Sequence, residues 1–290
     1  MSEKECPLLK SKSLTARSLI DTVTTEIKSG NKRKMNLIWL EVCGCSGNII
    51  SLLDGDAPSV GYFLRQMVNL KYNNSLMAKE GERAYEEFLN TLDTEFILAI
   101  DGAVSIKDEG LYNIIAKYKG KSITGMEAVK LAGEKAKYVL AVGTCASFGG
   151  ISAARPNPSG CISVGNFLTR EVINTPGCPC HPDWVMGTIA HLMLFGKPEL
   201  DTDNRPIVFY GATIHDFCTR RSFFDNKIFA NSVGDKECMF KIGCRGPVTR
   251  TDCPTRRWNE RVNWPIGDNT PCIGCAQKGF PDGMEPFINI

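Results

Sequence analysis

The last quarter of the chain restricts what it can fold into more than any other stretch. Between His215 and Cys275 lie Cys218, Cys238, Cys244, Cys253, Cys272 and Cys275, on short segments interrupted by Gly and Pro. Too little apolar periodicity runs through these segments to bury a core of their own. Thiolates and an imidazole at this density are the donors that grip iron–sulfur clusters, and metal would then hold the segment together. Two plainer readings compete. Structural zinc would suit the CxxC pair Cys272-Ile273-Gly274-Cys275, but such sites usually use two hooks and no second CxxC is present. Disulfides would suit a secreted scaffold, but 13 cysteines in 290 residues fall short of the roughly 8–10% typical of that class.

Composition bounds the rest. A 43% hydrophobic content is enough for a buried core in at least one domain. The 34 basic and 32 acidic residues nearly balance, with no basic block, so nothing favours nucleic acid as a partner. The start, Met1-Ser2-Glu3-Lys4-Glu5-Cys6, is acidic and leads into no apolar run of the kind an export signal needs. Arg220-Arg221-Ser222-Phe223-Phe224 has the look of a twin-arginine signal but lies too deep in the chain to act as one. No stretch approaches the length of a membrane span. These features together lead to the expectation of a cytoplasmic protein, at most peripherally attached to a membrane.

Residues 1–34 read as a polar extension with a helix from Thr15 to Lys28, and Cys6 within it reads as incidental. Residues 35–205 then repeat one pattern. An apolar run from Met35 to Val42 ends in Cys43-Gly44-Cys45, another from Glu95 to Ile100 ends in Asp101-Gly102-Ala103, and a third from Tyr138 to Val142 ends in Gly143-Thr144-Cys145. A fourth, from Val172, ends in Cys178-Pro179-Cys180-His181. Nearly continuous apolar runs are buried parallel strands, and helices are expected between them at 59–70, 125–137 and 183–195. The expected fold class is α/β, a doubly wound parallel sheet whose sites line the carboxyl ends of its strands. Ile207–Tyr210 reads as a last strand. The domain boundary is placed near residue 205, before an irregular cluster segment spanning 206–290. Asp101 reads as a turn former that could border a site, Cys161 as a small buried residue, His181 as a loop-orienting residue and His191 as a core histidine.

Five phrases in fixed order carry a family resemblance: His215-x-x-Cys218-Thr219-Arg220-Arg221, Cys238-x5-Cys244-Arg245-Gly246-Pro247, Asp252-Cys253-Pro254-Thr255, Asn263-Trp264-Pro265, and Pro271-Cys272-Ile273-Gly274-Cys275. Together they resemble the small, electron-transferring subunit of nickel–iron hydrogenases. Upstream, the Trp39-Leu40 strand before Cys45 and the phrase Gly143-Thr144-Cys145-Ala146-x-Phe148-Gly149-Gly150 are similar to the same family, with Asp101 where the family has Glu. The resemblance implies a flavodoxin-like first domain. It also implies a proximal 4Fe–4S cluster on Cys45, Cys145, Cys178 and one further thiol, and a distal 4Fe–4S cluster on His215, Cys218, Cys238 and Cys244. A medial 3Fe–4S cluster would sit on Cys253, Cys272 and Cys275, with Pro265 at its unligated corner.

The chain departs from the family at Val42-Cys43-Gly44-Cys45, where the usual CxxC would put its first cysteine on Val42. Cys43 is taken as the fourth proximal ligand, with Cys180 as the alternative. The extra cysteine of oxygen-tolerant members falls on Gly150 here. The implied partners are an obligate large subunit holding the nickel–iron centre and a redox acceptor protein or quinone-linked chain. The implied activity is electron relay in H2 oxidation or evolution, with a hydrogen-sensing regulatory subunit as the alternative. The related cluster-bearing subunit of respiratory complex I lacks a counterpart to the His215–Cys275 region.

Overall fold

The computed structural model describes residues 15–284, so Cys6 lies outside the described residues. Helix α1 (Thr15–Lys28) is followed by β1 (Met35–Glu41), α2 (Gly47–Leu53), α3 (Val60–Gln66), β2 (Val68–Asn73), α4 (Gly81–Thr91) and β3 (Phe96–Asp101). Then come β4 (Val104–Ser105), β5 (Ile114–Tyr118), β6 (Lys121–Thr124), α5 (Gly125–Lys135), β7 (Tyr138–Val142), α6 (Gly143–Phe148), β8 (Cys161–Ile162), α7 (Val164–Phe167), β9 (Ile173–Thr175) and α8 (Pro182–Phe195). Five strands form one parallel sheet in the order β2-β1-β3-β7-β9. This is the doubly wound order, whose switch point lies between β1 and β3.

Both faces of the sheet are covered, which is why its strands read as nearly unbroken apolar runs. Leu37, Trp39, Ile97, Ala99, Leu140 and Val142 face a core shared with α1 and α8. Their neighbours Ile38, Leu40, Leu98, Ile100, Val139 and Ala141 face a second core shared with α4 and α5. Within the stretch read as an extension, α1 buries Ala16, Leu19, Ile20 and Val23. It lies so close to α8 that a Cβ on Gly187 would stand 3.1 Å from Ala16 Cβ.

Two elements differ from the sequence expectation. Ile207–Tyr210 is a turn of helix rather than a strand. A four-residue apolar run fits either form, and Pro206 ahead of it supplies the fixed φ that opens a helical turn. The expected helix at 59–70 stops at Gln66, and Val68–Asn73 becomes the edge strand β2. Pairing with β1 there outweighs local helical spacing.

The register aligns Glu41 with Asp101, Asp101 with Val142, and Val142 with Thr175. The loops bearing Cys43, Cys45, Cys145 and Cys178 therefore all leave one edge of the sheet. Against that edge the segment after residue 210 docks, with little regular structure among its described residues. One buried ion network joins the two. The Arg256 guanidinium, 1% exposed, reaches Asp183 at the start of α8 and Asp252 beside Cys253, each at 2.6 Å. The Trp184 indole donates to Asp252 Oδ1 at 2.8 Å, and Arg261 adds a second cation to Asp183 at 3.0 Å.

Replacing Arg256 by Met keeps most of the side-chain volume but leaves buried Asp252 with no cation and Asp183 with Arg261 alone. The expected cost is about 3–5 kcal/mol, read as a lower urea midpoint for the purified protein with its partner subunit. A loss below about 1 kcal/mol, the scale of an exposed pair, would show that the network does not join the two parts.

Candidate metal centres

Three groups of thiols emerge from this arrangement. In the first, Cys45, Cys145 and Cys178 stand near one another at the sheet edge, each on a different strand-to-loop corner. Their loops are braced by Asn48, whose amide nitrogen donates to Asp101 Oδ1 and whose oxygen accepts the Cys180 N–H, both at 2.7 Å. Asn48 seats against Gly143, where an added Cβ would come within 2.3 Å of its amide and where φ is +79°. Only glycine fits there at low cost.

The two candidates for a further thiol lie in different surroundings. Cys43 pairs with Ala103 in an isolated bridge, and its thiol meets the side chains of Cys161 and Ser159, with Cys145 also near. Cys180 is fully buried, its Sγ 3.7 Å from the His181 carbonyl oxygen, among Thr175 and Tyr210 rather than the three thiols. A Cβ on Gly150 would lie 3.0 Å from Cys145 Sγ.

The second group surrounds a cavity of about 560 Å³. Cys253, Cys272 and Cys275 line it together with Pro265, Trp264, Thr249 and Thr251, and Cys178 of the first group reaches its wall. The third group is a small hollow lined by His215, Cys218, Cys238 and Cys244. The His215 ring packs edge-on to Phe224, with centroids 4.5 Å apart. Among the described residues no three His, Cys, Asp or Glu side chains converge closely enough to hold a single ion. The donors of the second and third groups line hollows.

Burial dominates the electrostatics. It pushes the Cys178 thiol up to about 12, with Cys275, Cys145 and Cys45 adding to the rise, and Cys253 up to about 12 as well. Cys218, Cys238, Cys244, Cys272 and Cys275 are raised by burial too, while His215 is lowered. Ionising several neighbouring thiols in so dry a place demands a compensating cation, and a neutral imidazole is the ligating form. The donor set therefore fits iron–sulfur clusters. N–H groups two residues onward donate to Cys45, Cys218, Cys244 and Cys272, each at 3.4 Å, from Gly47, Arg220, Gly246 and Gly274. The Thr251 hydroxyl donates to Cys253 at 3.1 Å. Such bonds spread thiolate charge and tune a cluster's potential.

His181 orients its loop as expected. Its Nδ1 accepts the Asp183 N–H at 3.0 Å and its Nε2 lies 2.8 Å from the Arg257 carbonyl oxygen. His191 packs in the core against Phe195 and lies 2.9 Å from the Gly196 carbonyl oxygen.

The family model for the C-terminal part of the NiFe/NiFeSe hydrogenase small subunit matches residues 210–288, and that for the NADH ubiquinone oxidoreductase 20 kDa subunit matches 45–192. The periplasmic [NiFeSe] hydrogenase small subunit of Desulfomicrobium baculatum is 37% identical over 275 residues, covering 88% of this chain and 87% of that protein. This chain belongs to the nickel–iron hydrogenase small-subunit family. The quinone-reactive Ni/Fe-hydrogenase small chain of Wolinella succinogenes is 34% identical over 88% of this chain and 73% of its own length. The recombinant [NiFeSe] hydrogenase structure from Desulfovibrio vulgaris Hildenborough superposes with a TM-score of 0.85 at 36% identity, covering 89% of this chain and 98% of that one.

The chain is thus the electron-transfer subunit of an oxidoreductase acting on H2, and its partner is a hydrogenase large subunit. Membership implies iron–sulfur clusters here and a nickel–iron centre in the partner. The expected cytoplasmic location is overturned, because the similar small subunits of D. baculatum and Solidesulfovibrio fructosivorans are named periplasmic. Among the described residues no helix is long and apolar enough to cross a membrane.

Asp101 supplies a test of the sheet edge. Burial raises its carboxyl to about 7, against the pull of Asn48, and Oδ2 has no hydrogen-bond partner although the Trp39 indole lies nearby. A folded value above the unfolded one means that the protonated acid is favoured at low pH and that stability is lost as pH rises from about 4 to about 7. Asp101→Asn mimics the protonated acid. It should gain roughly 2–4 kcal/mol at pH 8, with the gain shrinking towards pH 5, measured by urea unfolding at both values. Equal effects at the two pH values would refute the burial argument.

Proposed function

We propose that three iron–sulfur clusters sit in a line through this subunit and relay electrons between the large subunit and an external acceptor. The carrying observation is that the three donor groups are contiguous. The central cavity shares Cys178 with the sheet-edge group, and shares Ile214 and Ile266 with the hollow around His215. When bound, clusters accept and release single electrons at potentials set by ligand number, charge and hydrogen bonding.

In this reading Cys45, Cys145, Cys178 and Cys43 hold a proximal 4Fe–4S cluster. His215, Cys218, Cys238 and Cys244 hold a distal 4Fe–4S cluster. Cys253, Cys272 and Cys275 hold a medial 3Fe–4S cluster, because Pro265 on the same cavity wall has no donor atom to offer a fourth iron. His215 contributes no negative charge, and the exposed Phe217 beside it gives an acceptor an apolar surface to meet. One similar protein is named quinone-reactive, so a quinone-linked chain is an acceptor consistent with this reading. We further place the sheet domain at residues 35–205, with helix α1 of the N-terminal extension at 1–34 packed on its core, and the medial and distal clusters in a second domain at 206–290.

The small subunit should hold about eleven iron atoms, four in each 4Fe–4S and three in the medial group, besides the iron of the partner's nickel–iron centre. Pro265→Cys should turn the oxidised 3Fe–4S EPR signal into that of a 4Fe–4S cluster; an unaltered signal would mean that the open corner lies elsewhere.

His215→Ala disturbs only the far end of the relay. Exchange between H2 and D2O should persist while reduction of an outside acceptor slows, and parallel loss of both would remove His215 from the distal position.

A further inference from the structure

Thr144 lies at the seam between the sheet-edge thiols and the central cavity, buried at 1% exposure. Its backbone N–H donates to the Gly177 carbonyl at 2.9 Å, and its hydroxyl accepts the Gly177 N–H at 2.9 Å. It thereby ties the turn bearing Cys145 to the turn bearing Cys178. The same hydroxyl donates its proton to the carbonyl oxygen of Cys275. One side chain of the first donor group thus holds the backbone of the second. Next to this link, the backbone N–H of Cys178 faces the Cys275 sulfur and holds its thiol down against the effect of burial. From Cys178 Sγ the covalent path runs through Cβ and Cα to the N–H that faces Cys275 Sγ.

We propose that Thr144 is a positioning residue that sets electron passage from the sheet-edge group to the central group, by holding the backbone of Cys275 against the turn that bears Cys178. The proposal rests on the three-cluster reading above. Each crossing carries one electron; no bond forms or breaks and no proton moves. The hydroxyl is needed because it must accept from Gly177 and donate to Cys275 at once, which only an O–H of this reach can do. A threonine that merely filled space would be replaceable by any side chain of its size. The link also bears on the potential, since it keeps the Cys178 N–H facing the Cys275 sulfur, and a polar N–H directed at a ligating sulfur stabilises the more negative, reduced state.

The test compares Thr144→Ser, Thr144→Ala and Thr144→Val in the complete enzyme. Ser and Ala differ only by the hydroxyl oxygen, and Val keeps the volume of Thr without its hydrogen bonds. Iron content and the EPR spectrum of the unaltered protein come first; without a 3Fe–4S signal there, the three-cluster reading fails before any variant is judged. Given that signal, two quantities are read: the midpoint potential of the 3Fe–4S signal by redox titration, and the rate at which the signal disappears after rapid mixing with H2 and freezing. Ala and Val should both shift the potential downward and slow the disappearance, and Ser should match the unaltered protein in both. If Ser and Ala behave alike, the hydroxyl sets nothing and the proposal falls. It falls equally if Ala and Val fail to retain iron while Ser does, since Thr144 would then serve assembly alone.

Discussion

Everything in this subunit depends on the cost of placing thiol sulfur away from water. Burial raises thiols in all three donor groups, as at Cys178, Cys253 and Cys244. Anionic sulfur in such a place is tolerable only beside positive charge or several hydrogen-bond donors. The chain provides donors at regular points, through N–H groups two residues beyond Cys45, Cys218, Cys244 and Cys272, and leaves the positive charge to iron. The segment beyond residue 210, whose described residues form short helical turns and no extended strand, joins these donors to a core it shares with the sheet through Ile214, Met239, Trp264 and Ile266.

The sheet performs the complementary task. Its strands are buried on both faces, so their ends are fixed by packing against α1, α4, α5 and α8 rather than by the loops that follow. Loops on such a scaffold can adopt backbone forms that thiol placement demands, as at Gly143, without endangering the fold. Arg256, held by Asp252 of its own segment, then locks that segment to α8 through Asp183, and Thr144 stitches the same seam through Cys275. A relay needs its centres at fixed separations, and these buried contacts hold the thiol groups in one frame.

Much of this was legible along the chain. Apolar runs ending in Cys45, Cys145 and Cys178 announced parallel strands with sites at their carboxyl ends, because a strand buried on both faces must be apolar throughout. The thiol-rich stretch from His215 to Cys275 pointed to metal by the density of its donors on segments with little continuous apolar periodicity. Less visible was the edge strand β2, whose sequence Val68-Asn69-Leu70-Lys71-Tyr72-Asn73 acquires its form from pairing with β1. Asn48 and Thr144 gave no local signal, since an amide and a hydroxyl acquire meaning only from what stands opposite them. The compartment was not legible, because a polar, acidic start speaks only of that segment.

The sequence by itself determined the kinds of donor, their order and the alternation of apolar runs with thiol-bearing corners, since each follows from residue chemistry and short-range periodicity. Tertiary structure decided which thiols meet. Cys43 and Cys45 stand two positions apart, yet the Cys43 thiol rests against Cys161 and Ser159 with Cys145 near, while Cys45 lies beside Cys178; Cys178 and Cys180 separate further, the second sinking into the core. Spacing two apart allows a shared face but does not enforce one, because the path of a loop is set by the strands, helices and buried hydrogen bonds it must satisfy at both ends.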